Sequence, residues 1–244
     1  MKKRVLLLCA LLAGLLLLSA CGSEKPVGGE VTPGGEDVEV GGEIVSNDAA
    51  EEENLADTPL SIGRMEGGVY TNEYLGVAAT LDENWTFFSA EELQELPASV
   101  FDSLEGTELG ELSQDVEYFT DMQAENVTDL TVLSIGYERF NMATRLLYNQ
   151  MTDEMILDTV LEQEDMLIEG YAQAGIVTES MEKKTVEFLG EEYWALHTVA
   201  SIEGTPYYIL QIFAYDIGEW GVTMTFASFI EDNTENLLDL FYKI

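Results

Sequence analysis

The side chains that most often carry catalysis are either scarce or too numerous to be informative in this chain. His197 is the only histidine, so the sequence cannot supply a metal site with several histidine ligands. Aspartate and glutamate total 47 residues, against 10 lysines and arginines. Because pairs of carboxylates arise from this density alone, they give no evidence for acid–base catalysis. We expect His197 to be a hydrogen-bonded structural residue on a strand, with a pH switch as the alternative.

Two further groups of residues have spacings that resemble functional sites. Ser180 and Lys183 have the serine-x-x-lysine spacing of penicillin-interacting enzymes, whose chemistry needs both residues at the start of a helix. This segment has the pattern of a strand, which would turn the two side chains to opposite faces. Glu154, Asp158 and Glu162 predict a solvated helix face, with weak divalent-cation association as the alternative. We therefore expect no catalytic, cofactor-binding or metal-binding residues and no enzyme activity.

The N-terminal residues indicate a covalent modification rather than catalysis. Three basic residues at positions 2–4 precede an apolar run from Val5 to Leu18, as in a secretory signal peptide. The segment Leu18-Ser19-Ala20-Cys21-Gly22 resembles the lipobox of bacterial lipoproteins. This resemblance implies that residues 1–20 are a signal peptide and that Cys21 carries diacylglycerol and palmitate. It also implies a lipid anchor that holds the protein on the outer, extracytoplasmic face of the cell membrane.

Composition divides the rest of the chain into a tether and a domain. Residues 21–66 are rich in glycine, proline and acids and lack apolar periodicity, which predicts a disordered acidic tether behind the lipidated Cys21. Residues 67–244 carry patterned apolar residues and should form a single domain. The formal net charge of −37 excludes nucleic acid as an electrostatic partner.

The domain sequence predicts strands at both ends and helices between and after them. Strands are expected at 69–71, 75–81, 84–88, 116–124, 129–140, 177–189, 192–203, 206–215 and 219–229. Ser89 and Glu92 form a capping box for a short helix that Pro97 should stop or kink. A long amphipathic helix is expected from Thr152 to Ala174, and a last one from about Asn233 to the end.

The predicted elements define a fold class. Several strands are apolar on both faces, which indicates a sheet covered on both sides. The strands after residue 177 are joined by so few residues that they must be antiparallel. We therefore predict an α+β fold, a three-layer α/β/α sandwich with a mainly antiparallel central sheet.

The first strands also suggest a family. The segment Tyr70-Thr71-Asn72-Glu73-Tyr74-Leu75-Gly76, continuing through an apolar strand to Trp85, resembles the opening of PsbP-like domains. The order of elements over 67–244 is similar to that family as well. The family includes extrinsic proteins of photosystem II, a nuclear-transport GTPase-binding protein and many bacterial lipoproteins. The resemblance implies a binding scaffold without a shared catalytic site.

Two functions follow as expectations from anchor, tether and domain. The first is a membrane-anchored lipoprotein that displays a non-catalytic interaction or assembly domain, with another envelope protein as its partner. The alternative is a carrier or binding protein for an apolar ligand or a cell-wall fragment. Its groove would be lined by an aromatic set that consists of Trp194, Tyr207, Tyr208, Tyr215 and Trp220.

Overall fold

The computed structural model describes residues 62–103, 117–140, 142–217 and 220–244, which form two antiparallel sheets. In chain order the strands are β1 (Arg64–Glu66), β2 (Val69–Asn72), β3 (Val77–Thr80), β4 (Trp85–Phe87), β5 (Tyr118–Asn126), β6 (Thr131–Arg139), β7 (Ile176–Phe188), β8 (Glu191–Ile202), β9 (Thr205–Ile217), β10 (Trp220–Phe229) and β11 (Phe241–Lys243). The large sheet has the order β4-β5-β6-β10-β9-β8-β7, and the small sheet has the order β1-β2-β3-β11. The mainly antiparallel central sheet expected from the sequence is confirmed.

Two tight hairpins connect the long strands of the large sheet. Leu189 and Gly190 join β7 to β8, and both residues have positive φ, 56° and 79°. Glu203 and Gly204 join β8 to β9 with φ of 51° and 79°. Two central residues with positive φ are the signature of a type I′ turn, whose twist matches that of the flanking strands. The register of β7, β8 and β9 is thereby fixed by local sequence.

The helices cover one face of the large sheet. They are α1 (Ala90–Ser103), α2 (Met142–Tyr148), α3 (Asp153–Leu161) and α4 (Glu164–Gln173). Val160 of α3 and Tyr171 of α4 pack with Leu196 and Ile209 of the sheet in what we call the helix-side core. Among the described residues, no helix combines the length and the apolar content needed to cross a membrane.

The small sheet covers the opposite face. Tyr70, Ala79 and Phe241 pack there with Leu133 and Phe226 of the large sheet, in what we call the sheet-side core. The prediction of an α/β/α sandwich is therefore not confirmed, because β-strands occupy the layer where a second set of helices was expected. The strands facing this layer are apolar on both sides, and that pattern does not distinguish a helical cover from a β cover.

The expected long helix is divided in two. Thr152 is its N-cap as predicted, with its hydroxyl accepting a hydrogen bond from the Met155 amide. The helix ends at Leu161, and α4 begins at Glu164. A continuous helix would turn Gln163 or Glu164 inward between Val160 and Leu167, and the break avoids burying either. The segment between β6 and this pair also forms α2, which the sequence pattern did not predict.

Of the remaining helix predictions, the capping box is confirmed and two others need correction. In the capping box, the Ser89 amide donates to Glu92 Oε2 at 2.8 Å and the Glu92 amide donates to Ser89 Oγ at 3.3 Å. Pro97 does not stop the helix, which continues to Ser103, and a kink at Pro97 stays a prediction. At the C-terminus only Glu235–Leu240 is helical, as a 3₁₀ helix, and β11 follows. Ile244, which the predicted helix would have included, is 57% exposed after the edge strand β11.

Candidate functional site

The aromatic set expected to line a groove is divided between the two faces of the large sheet. Trp194 and Tyr207 belong to the helix-side core, where Tyr207 is fully buried. Trp220 packs on the sheet-side core, with its ring 5.3 Å from that of Phe119. Tyr208 is half-buried and alternates away from Tyr207, and the side chain of Tyr215 lies outside the described residues. The four described rings therefore do not share one groove.

His197 lies on β8 as predicted and is buried. Its Nε2 is 2.9 Å from Asp232 Oδ2, and the other oxygen of Asp232 accepts hydrogen bonds from the hydroxyl and the amide of Thr234. Burial raises the pKa of Asp232, but the hydrogen bonds from Thr234 and the neighbouring His197 outweigh it, so that the net shift is downward. The geometry ties the chain after β10 to β8, which suits the structural role expected for His197.

Lys183 lies at the centre of the acidic helix row. Its Nζ is 2.9 Å from Glu154 Oε1 and 2.6 Å from Asp158 Oδ1, and it lies 5.3 Å from the centre of the Trp194 ring. Ser180 is exposed on the same strand, after a bulge, so no helix brings it together with Lys183. An ammonium group from β7 therefore offsets part of the like-charge repulsion on α3.

A buried polar network joins the two sheets. Asp121 lies at a bulge in β5, and its oxygens accept hydrogen bonds from the Tyr70 hydroxyl (2.5 Å), the Asn72 amide group (2.8 Å) and the Gly63 backbone N–H (2.8 Å). Asn72 also donates to the Tyr137 hydroxyl at 2.9 Å. Burial raises the pKa of Asp121 and of both phenols. All the donors come from this chain, and the network fixes the small sheet on the large one.

A second polar group lies on the helix side of the large sheet. Gly136 of β6 pairs with Thr120 of β5 and Thr223 of β10, and the next inward residue on β6, Glu138, pairs with Tyr118. A Cβ added to Gly136 would lie 2.1 Å from the Tyr118 hydroxyl, so this hydroxyl lies directly over the glycine. We call Tyr118, Thr120, Glu138 and Thr223 the Gly136 cluster.

The polar atoms of this cluster are buried with few partners. Glu138 is 2% exposed, and its Oε2 has no hydrogen-bond partner among the described residues. The Thr223 hydroxyl is likewise buried without a partner in this part of the chain. Burial raises the pKa of Glu138 well above its usual value. Glu138 was not predicted as a site residue, because one acid among 47 does not stand out in the sequence. The available signal was its position on a strand that is largely apolar on both faces.

An exposed apolar patch lies on α2. Met142 is 76% exposed and Leu146 is 59% exposed, and Leu147 beside them is also exposed. We call these three residues the α2 patch. Residues 139–152 contain two arginines, Arg139 and Arg145, and no aspartate or glutamate. In so acidic a chain this acid-free stretch was the sequence signal that could have identified the patch.

Other expectations fall partly outside the described residues. Cys21, the signal peptide and nearly all of the tether precede residue 62. The last residues of the tether were predicted wrongly, because β1 (Arg64–Glu66) pairs with β2 and belongs to the folded domain. Within the described ranges, no group of three or more histidine, cysteine, aspartate or glutamate side chains is arranged to hold a metal ion. Weak divalent-cation association therefore has no defined ligand set among those residues.

Comparisons with known proteins add one structural likeness. No family model and no curated protein matches the chain. Among solved structures, the chain is similar to the cyanobacterial PsbP protein CyanoP from Synechocystis sp. PCC 6803, determined in solution. The two share 10% sequence identity with a TM-score of 0.41, over 77% of this chain and 96% of that one. No inference about activity or partner rests on a likeness of this degree.

Proposed function

We propose that this chain is a lipoprotein, anchored through Cys21 on the extracytoplasmic face of the cell membrane, whose folded part from β1 onward forms a PsbP-like, non-catalytic interaction domain. The anchor is supported by the basic, apolar and small-residue pattern that ends at Cys21. The PsbP-like assignment is supported by the residues of 70–85. The acidic tether that precedes β1 would hold the domain away from the bilayer.

The observation that carries the interaction role is the α2 patch. Large apolar side chains exposed together on one helix are typical of a surface that a partner covers. The nearest charges along the chain are those of Arg139, which is ion-paired with Glu117 at 3.0 Å, and Arg145, so Arg145 is the charge that a partner would face. We propose that the partner is another envelope protein whose apolar contact surface is bordered by acidic residues. Copies of this chain, each with a net charge of −37, repel one another and make poorer partners.

The partner can be tested by cross-linking the full lipoprotein in its native cells. Leu146→Ser should remove the cross-linked partner from the membrane fraction, because it replaces an apolar contact with a hydroxyl. Val177→Ser is the matched control, since Val177 is 63% exposed on β7 and lies outside the patch. A partner retained equally by both variants would contradict the proposal.

The anchor is tested separately by metabolic labelling with a palmitate analogue. Cys21→Ser should abolish the label, because the thiol is the only group in the mature chain that could accept diacylglycerol in this chemistry. Residue 9 is the other cysteine, and it lies within the predicted signal peptide. Labelling that persists in Cys21→Ser would show that the anchor is elsewhere.

A further inference from the structure

The Gly136 cluster contains buried oxygen atoms that have no hydrogen-bond partner among the described residues. Its side chains contribute a carboxyl group, two aliphatic hydroxyls and one phenol, arranged around a residue that has no side chain. Buried polar groups in folded proteins are almost always hydrogen-bonded. Glu138 Oε2 and the Thr223 hydroxyl lack such partners among the described residues, which points to a ligand that binds oxygen.

The position of the cluster indicates the side from which this ligand would enter. Tyr118 is half-buried at the start of β5, whereas Glu138 beside it is almost completely enclosed. Tyr118 is therefore the member of the cluster nearest the surface, and Thr120, Glu138 and Thr223 are buried. A ligand entering past the phenol would have to be small, because the Tyr118 hydroxyl already lies over Gly136.

The charge of the cluster selects the ligand class. Glu138 is the one ionisable carboxyl group among the four side chains, and an ionised carboxylate in the interior requires a counter-charge. A monovalent cation neutralises it, whereas a divalent cation would leave one uncompensated positive charge buried. Hydroxyl and phenol oxygens complete the oxygen ligands that hard cations prefer. The strongly negative chain also raises the local concentration of cations.

We propose that the Gly136 cluster binds a small monovalent cation, Na⁺, K⁺ or NH₄⁺, with the Glu138 carboxylate as its counter-charge and the Thr223 hydroxyl as a neutral ligand. Binding stabilises the fold, because the site exists only when β5, β6 and β10 are paired. This role is independent of the proposed partner at the α2 patch.

The experiment is thermal unfolding of the full chain in detergent, in chloride salts of Na⁺, K⁺, NH₄⁺ and N-methyl-D-glucamine at equal ionic strength. The bulky N-methyl-D-glucamine ion screens surface charge but is too large for the cluster. We expect at least one small cation to raise Tm by about 2–6 °C above the bulky ion when present well above its Kd. The separate salts distinguish a metal ion from ammonium.

Three variants test whether the cation-dependent rise in Tm arises at the Gly136 cluster. Glu138→Gln keeps the shape of the side chain and should abolish the difference between cations. Thr223→Val removes one oxygen at nearly constant volume and should weaken the apparent affinity about tenfold. Glu187→Gln removes an exposed carboxylate on β7 and should respond to cations as the unaltered chain does.

Several results would overturn the proposal. One is an equal Tm in all four salts. Another is a cation preference that survives in both Glu138→Gln and Thr223→Val, since the binding would then be at the surface. A third is stabilisation by Ca²⁺ or Mg²⁺ at equal ionic strength that disappears in Glu138→Gln, because the site would then be divalent.

Discussion

The two most deeply buried carboxyl groups described above have opposite surroundings. Asp121 accepts hydrogen bonds from three groups of its own chain, whereas Glu138 Oε2 has no partner among the described residues. Donors that favour the ionised form partly offset the cost of burial for Asp121. Nothing of that kind lowers the pKa of Glu138, which burial alone raises. Both groups are buried carboxyls, so their neighbours decide whether the group is structural or available to a ligand.

This difference predicts a pH-dependent effect of Glu138→Gln. Because the folded-state pKa of Glu138 is raised, its contribution to stability is full below the unfolded pKa, about 4.3, and is lost as the pH rises towards the folded pKa. Glutamine has no proton to lose. The variant should therefore gain stability over the unaltered chain by at most about 1.4 kcal/mol per pH unit in this window.

The measurement is the free energy of unfolding of both proteins between pH 4 and pH 8, in N-methyl-D-glucamine salts so that no small cation contributes. Tyr118 is the other titratable member of the Gly136 cluster, and burial raises its pKa, so it remains neutral throughout. A stability difference that does not change with pH would mean that Glu138 is solvated in the folded protein.

At the scale of the elements, residues that begin a helix predicted the structure more accurately than hydrophobic periodicity did. The capping box at Ser89 and the helix start at Thr152 are each specified by a few neighbouring residues, and both are found. Averaged helical periodicity concealed the break at Gln163, because apolar residues continue in phase on both sides of it. Apolar strand faces predicted a covered sheet but left the covering element undetermined. For the candidate site, the density of acids concealed Glu138.

The Thr152 cap supports a prediction at this scale. Thr152→Ala should reduce the free energy of unfolding by about 1 kcal/mol, because it removes the acceptor for the Met155 amide at the start of α3. Thr159→Ala is the control within the same helix. The Thr159 hydroxyl donates to the Met155 carbonyl at an exposed position, and alanine has the higher helix propensity. Denaturant unfolding of both variants should separate them, and equal destabilisation would argue against the cap.

At the scale of the whole molecule, net charge opposes compactness. The chain has a formal charge of −37, and the ion pairs among the described residues are mostly exposed and weakly stabilising. Repulsion between the remaining carboxylates should therefore be the larger electrostatic effect on stability. The two apolar cores on either face of the large sheet must outweigh it.

This balance predicts that salt stabilises the protein. Raising N-methyl-D-glucamine chloride from about 0.01 M to 0.15 M shortens the screening length from roughly 30 Å to 8 Å and should raise Tm. Glu138→Gln serves as the control and should show the same rise, because the repulsion comes from many surface groups. A Tm that falls with salt would mean that attractive ion pairs dominate instead.

The strand β7 has a consequence for self-association. It ends the large sheet, so among the described residues no strand lies beside its thirteen-residue outer edge. An open edge of this length is a template on which another chain could add a strand and begin aggregation. A bulge after Thr178 interrupts its regular pairing, and the charged residues at 182–184 place both signs along it. Such irregularities are the devices by which sheet proteins resist edge-to-edge joining, which would matter most where anchored copies are crowded in two dimensions.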